Sequence, residues 1–114
     1  MNALNIETMT KVERSILLYA ETCCVDYGGL LEGQRMNADD MAALKKFEEA
    51  GILEYGRIPF KLLGPLGSYG RKPTHWITFT DAAWGIAHAL RRRCSQKASV
   101  SRQKVDEALA ERAA

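Results

Sequence analysis

Helical periodicity begins just after Thr10. Val12, Ile16, Tyr19, Ala20 and Cys23 recur at the three- and four-residue spacing of one helix face, with Lys11, Arg14 and Glu21 left toward water. Thr10-Lys11-Val12-Glu13 has the S/T-x-x-E form of a capping box, in which each side chain takes up the other residue's free backbone N–H. The pattern predicts a helix over 11–26, stopped at Gly28-Gly29, where left-handed turns carry no side-chain penalty. Residues 30–36 read as a short helical turn or irregular segment, because Leu30, Leu31 and Met36 ask for burial while Gly33 and the short length oppose a helix. Asn37 is a good N-cap, Asp39 and Asp40 suit the positive end of a helix dipole, and Met41, Leu44 and Phe47 form an inward stripe. A second helix is therefore predicted over 38–50, with Gly51 just past its end and Ile52 packing back on Phe47.

Beyond Gly51 the pattern changes. β-branched and aromatic residues return from Ile52 to Ile58, and Pro59 closes the run, which predicts a strand over 52–58. A loop follows over 59–73, with Gly64-Pro65, Gly67 and Gly70 as turn residues. Thr74 to Thr80 alternates, with Ile77 and Phe79 on one face and Trp76 and Thr78 on the other, so the two strands are expected to pair antiparallel around a long tip. Thr80 caps a third helix over 81–93, opened by Asp81, with Ala83, Trp84, Ala87 and Leu90 at core-like spacing. The polar C-terminal tail, 95–114, offers only Val100, Val105 and Leu109 for burial and is expected to be a marginal helix or disordered. The fold class is α+β: a helix-rich small domain over 1–94 with a two-stranded antiparallel hairpin, and a core of Ile16, Leu17, Leu44, Phe47, Ile52, Ile77, Phe79 and Trp84.

Composition narrows the function classes. A chain of 114 residues with 46% hydrophobic content can hold one core without metal or disulfide staples. No run of apolar residues approaches a membrane span, and Met1 to Thr10 lacks the pattern of a secretory signal, so a cytoplasmic protein with no membrane partner is expected. Cys23, Cys24 and Cys94 lack the CxxC spacing and read as reduced, mostly buried thiols. A metal site built from them with a histidine is the alternative, but neighbouring residues on a helix point about 100° apart. The net charge of +2 conceals an asymmetry: residues 1–56 hold 5 Lys/Arg against 10 Asp/Glu, and residues 57–114 hold 11 against 4. Such a split suggests a partner of one charge sign.

Two segments resemble a known architecture. Leu44-Lys45-Lys46-Phe47-Glu48-Glu49-Ala50-Gly51-Ile52-Leu53 is similar to a recognition helix leading into a wing strand, and Ile77-Thr78-Phe79-Thr80-Asp81-Ala82-Ala83-Trp84 to the strand leading into the last helix, of winged-helix regulators of the MarR and PadR type. The resemblance covers roughly residues 37–93 and implies a winged-helix-like fold, with the hairpin as the wing, and a DNA partner, a homodimer remaining open. The chain departs from that pattern in two places. Residues 28–36 hold three glycines where a supporting helix belongs, and Asp39 and Asp40 occupy the turn that would face base edges and phosphates. Val25-Asp26-Tyr27-Gly28-Gly29 and Arg35-Met36-Asn37-Ala38-Asp39-Asp40, with the Trp76 and Trp84 regions, resemble small proteins of proteobacterial temperate phages. That resemblance implies an accessory protein that inhibits a host protein by contact.

The candidate residues follow from these readings. Arg57, Lys61, Arg71 and Lys72 lie on or beside the wing and are candidates to grip phosphates, with Trp76 and Tyr69 as aromatic surface; basic loops also serve solubility. Arg91, Arg92 and Arg93 are nucleic-acid candidates too, although a helix C-terminus attracts cations for structural reasons alone. Asp39, Asp40, Glu48 and Glu49 are candidates to meet a basic protein, against the plainer reading of a solvated helix face. His75 and His88 have no nucleophile or carboxylate motif beside them, and Tyr27-Gly28-Gly29 lacks the Lys-Ser/Thr of a phosphate loop. No catalytic residue, metal or cofactor is assigned. The expectation is a non-enzymatic binding protein: a nucleic-acid-binding regulator first, a phage-encoded inhibitor of a host protein second.

Overall fold

A computed structural model describes residues 5–66, 70–95 and 100–113. Its elements are α1 (Lys11–Asp26), β1 (Leu30–Leu31), a 3₁₀ turn (Gly33–Arg35), α2 (Ala38–Glu49), β2 (Leu53–Arg57), α3 (Phe60–Leu63), β3 (His75–Phe79), α4 (Asp81–Ser95) and α5 (Val100–Ala113). The helix boundaries follow from the caps. Thr10 Oγ1 accepts the Glu13 N–H at 3.1 Å while Glu13 Oε1 accepts the Thr10 N–H at 2.8 Å. At α2 the same reciprocal box joins Asn37 and Asp40, a pairing that takes Asp40 out of the free acidic surface. The end of α2 is a Schellman motif: Ile52 N–H donates to Phe47 O at 3.2 Å and Gly51 N–H to Glu48 O at 2.9 Å, with Gly51 at φ 78°.

Helix α1 is the centre of the packing, lying against α2, α4 and the sheet. Ile16, Leu17, Ala20 and Cys23 of α1 meet Leu44 and Phe47 of α2, Leu53, Ile77 and Phe79 of the sheet, and Ala83, Ala87 and Leu90 of α4 in one buried cluster. The sheet is antiparallel with order β1-β3-β2, Leu31 opposite His75, and Leu53 opposite Phe79 through to Arg57 opposite His75.

Three expectations are corrected, and the tail takes one of its two expected forms. The sheet has three strands, because Leu30-Leu31 pairs with β3 and buries Leu31 completely. Two leucines are too short a run to show alternation, so the strand was invisible to periodicity. The pairing depends on Gly29, whose φ is 80° and where a Cβ would stand 2.5 Å from Ile77 O; Ile77 N–H donates to Gly29 O at 2.8 Å. The connection over 59–73 contains α3, a single helical turn. Trp84 lies at the rim of the core, 39% exposed, touching Phe79 edge-on with ring centroids 5.2 Å apart. The tail forms α5 over 100–113, all of whose residues are exposed; the remainder of 95–114 beyond α4 lies outside the described residues.

Candidate nucleic-acid interface at the wing

The wing begins where β2 and β3 separate. Ile58 N–H donates to Thr74 O at 3.0 Å, and the buried Ile58 and Pro73 seal the base of the connection. Beyond that base, α3 carries Phe60, which is 89% exposed, and Leu62 and Leu66 are exposed beside it. Arg57 at the end of β2, Lys61 on α3 and Lys72 just before β3 are all exposed, and none pairs with a carboxylate among the described residues. Tyr69 lies outside the described residues.

Arg71 behaves differently from its neighbour. Its guanidinium donates to Leu30 O at 2.8 Å, lies over the Tyr27 ring at 3.4 Å from the centroid, and stands 3.8 Å from Glu32 Oε1. Glu32 is the hub of this clasp, with only 3% of its surface exposed. Its carboxylate accepts Arg35 Nε at 2.7 Å and the Lys72 backbone N–H at 3.0 Å, and its own N–H donates to Tyr19 Oη at 3.1 Å. The hydrogen bond from Arg35 and that from the Lys72 backbone hold the carboxyl below its ordinary range against the opposing effect of burial. Thr74 adds a second tie: its hydroxyl accepts the Gly33 N–H at 2.8 Å and lies 2.7 Å from His75 Nδ1, whose basicity burial and Arg57 depress. The 3₁₀ turn and the wing exit are thus locked together, and Arg71 is part of the lock.

The α4 arginines are drawn inward in the same manner. Arg91 Nε donates to Glu21 Oε1 at 2.7 Å, and its Nη2 reaches Leu18 O and Thr22 Oγ1 on α1. Arg93 Nη1 lies 3.1 Å from Glu7 Oε1, an ion pair without hydrogen-bond alignment. Arg92 is exposed and also engaged. Glu13, beyond its capping role, accepts Lys46 Nζ at 2.7 Å; burial raises its pKa, but Lys46 and the Thr10 donors together hold it below the ordinary value. Part of the charge asymmetry between the two halves is therefore met within the fold: Glu7, Glu21 and Glu32 of the acidic half face Arg93, Arg91 and Arg71 of the basic half.

On the acidic side, Asp39 is exposed in the first turn of α2, and Glu48 and Glu49 are exposed at its last turn, where Glu48 Oε2 reaches the Tyr55 N–H at 3.4 Å. Asp39 and Glu48 sit at opposite ends of the helix, so the four acidic candidates form no single patch. Cys23 is buried and Cys24 half-buried, with burial pushing the Cys24 thiol up to about 11; Cys94, expected inside, is exposed on α4. His88 is exposed, and among the described residues no group of His, Cys, Asp and Glu gathers as metal ligands. No helix among them is long and apolar enough to cross a membrane.

Glu32, Tyr27 and Glu13 had drawn no notice as partners of the basic residues. The available signal was local: Glu32 follows a leucine pair and precedes Arg35 by three residues, a spacing that allows an ion pair on one turn. No protein-family model matches the chain, and no curated protein or solved structure matches it either.

Proposed function

We propose that the protein is a non-catalytic, winged-helix-like module that binds nucleic acid through its wing, gripping phosphates with Arg57, Lys61 and Lys72. The observation that carries this reading is that these three cations share one connection and have no carboxylate partner among the described residues, whereas Arg71, Arg91 and Arg93 are occupied internally. Helix α2 is not the reader in this scheme. Asp39 stands exposed in its first turn, and a carboxylate there repels the phosphates flanking a major groove. Binding is accordingly electrostatic and tolerant of sequence. With up to three phosphates neutralised at about −0.9 each, log K against log salt should fall with a slope no steeper than roughly −2.7.

A second reading is an accessory protein that inhibits a basic host protein by contact. The exposed Asp39 and the exposed apolar Phe60, Leu62 and Leu66 favour it, since apolar side chains contribute more to a protein interface than to a phosphate grip. Titrating the chain with duplex DNA at several salt concentrations separates the two. Saturable binding with the slope above, lost in the Arg57→Ala/Lys61→Ala/Lys72→Ala variant, supports the wing. Binding that is absent at low salt, or unchanged in that variant, defeats it.

A further inference from the structure

The outward face of the sheet holds a second candidate site, away from the wing. Ile77 and Phe79 of β3 point into the core, so Trp76 and Thr78 point out, and they stand opposite Gly56 and Glu54 of β2. The Trp76 ring lies flat over Gly56. A Cβ at that position would be 3.0 Å from three of its indole atoms, so the absence of a side chain at 56 is what lets the ring settle on the strand. One face of the indole is thus seated on backbone, and the half-exposed ring borders a cleft of about 510 Å³. Glu48, at the end of α2, and Glu54 line the same cleft, with Thr78 and Thr80 as hydroxyl neighbours.

The two carboxylates of this cleft differ from the four that the fold pairs internally. Glu7, Glu13, Glu21 and Glu32 each have an internal Lys or Arg within pairing distance, but among the described residues no cation pairs with Glu48 or Glu54. Among the described residues the one donor to either is the Tyr55 N–H, at the long distance of 3.4 Å from Glu48 Oε2. An aromatic face beside two unpaired carboxylates is complementary to a cation with an apolar stem: the ring quadrupole attracts the charge, the stem lies along the indole, and the carboxylates accept its N–H groups.

We infer that the cleft bounded by Trp76, Glu48 and Glu54 is a receptor for an arginine or lysine side chain of a protein partner. This stands on different residues from the wing reading and survives its failure. Nucleic acid is excluded from the cleft by the same two carboxylates that would receive the basic side chain.

The chain contains two tryptophans, Trp76 and Trp84, so a Trp84→Phe background leaves Trp76 as the sole indole reporter. That protein is titrated with the blocked peptide acetyl-Ala-Arg-Lys-Ala-amide, with acetyl-Ala-Gln-Gln-Ala-amide and a duplex DNA oligonucleotide as separate arms. The expected result is a saturable change in Trp76 emission with the basic peptide alone, weakened at least about fivefold by Glu48→Gln/Glu54→Gln, as loss of two charged acceptors implies. Should Trp84→Phe fail to fold, amide and indole shifts in the unsubstituted ¹⁵N-labelled chain give the same answer. Perturbations confined to Glu48, Glu54, Trp76 and Thr78 support the site. A linear response, equal affinity in the Gln variant, or a larger response to the glutamine peptide or DNA overturns it.

Discussion

The two basic regions of the chain look alike as sequence and do opposite things in the structure. Arg91 and Arg93 of α4 turn back onto α1 and the N-terminal segment, where Glu21 and Glu7 receive them. Arg57, Lys61 and Lys72 of the wing are exposed and pair with no carboxylate among the described residues. The dividing line runs between adjacent residues at the wing exit, since Arg71 is held by Leu30 O, Tyr27 and Glu32 while the Lys72 side chain is exposed. A run of basic residues reports charge but not where its counter-charges fold to. What decides the role of each cation is whether a carboxylate from the acidic half comes to meet it.

The largest effect that sharpens this contrast is expected at Glu32. Glu32→Ala leaves the Lys72 N–H without its acceptor and Arg71 and Arg35 without their counter-charge, and the loss should be about 2–3 kcal/mol in a urea unfolding series. A change below ~0.5 kcal/mol would mean that the Glu32 carboxylate contributes nothing to the clasp.

Acid sensitivity should be the next largest. Glu13 and Glu32 both have carboxyls held below the ordinary value of 4.5 in the folded chain. A folded-state pKa below the unfolded one means the native state binds the proton more weakly, so the stabilisation is complete above the unfolded value and is lost as pH falls through the folded one. The unfolding midpoint should therefore be flat above about pH 5 and fall below pH 4.5, with a shallower fall in the Glu13→Gln/Glu32→Gln variant. Identical acid slopes in the two proteins would contradict the assignment.

The α4 pairs should matter less, because they are partly hydrated. Glu21→Ala removes the acceptor for an Arg91 that keeps Leu18 O and Thr22 Oγ1, so a loss of about 0.5–1 kcal/mol is expected. Smallest of all is the stability effect of Arg57→Ala/Lys61→Ala/Lys72→Ala, expected within about 0.5 kcal/mol since these side chains are exposed and pair with no carboxylate among the described residues. A thermal or urea midpoint moved well beyond that would show that the wing cations too are structural.

Local chemistry was legible where a single turn carries it. The Thr10–Glu13 box, the Asn37 cap, the Gly51 ending and the Thr80 cap, whose hydroxyl lies 3.4 Å from the Ala83 N–H, all use residues within a few positions of one another. What was illegible depends on residues far apart in the chain. β1 is two residues long and owes its existence to β3, forty-odd positions away. Glu32 meets the Lys72 N–H across 40 positions, with Arg71 beside it, and Glu21 meets Arg91 across 70. The charge asymmetry was visible and its interpretation was not, because a sum over halves cannot distinguish a surface field from internal pairing. Trp84 fits a core spacing on α4, yet it falls in the helix's first turn, where it meets Phe79 edge-on and stays 39% exposed. The Trp76 cleft was foreshadowed only as aromatic surface near the wing, since nothing local says that Gly56 lies beneath the ring or that Glu48 closes over from α2.

The most direct measurement of the central claim compares two variants on one duplex DNA, Arg57→Ala/Lys61→Ala/Lys72→Ala and Arg91→Ala/Arg93→Ala, across a salt series at pH 7. The wing variant should lose at least about tenfold in affinity at 0.1 M salt and flatten the salt slope, while the α4 variant, once confirmed folded, keeps both within twofold of the unsubstituted chain. Equal losses in the two variants, a loss confined to the α4 variant, or no measurable DNA binding by the unsubstituted chain at low salt would contradict it.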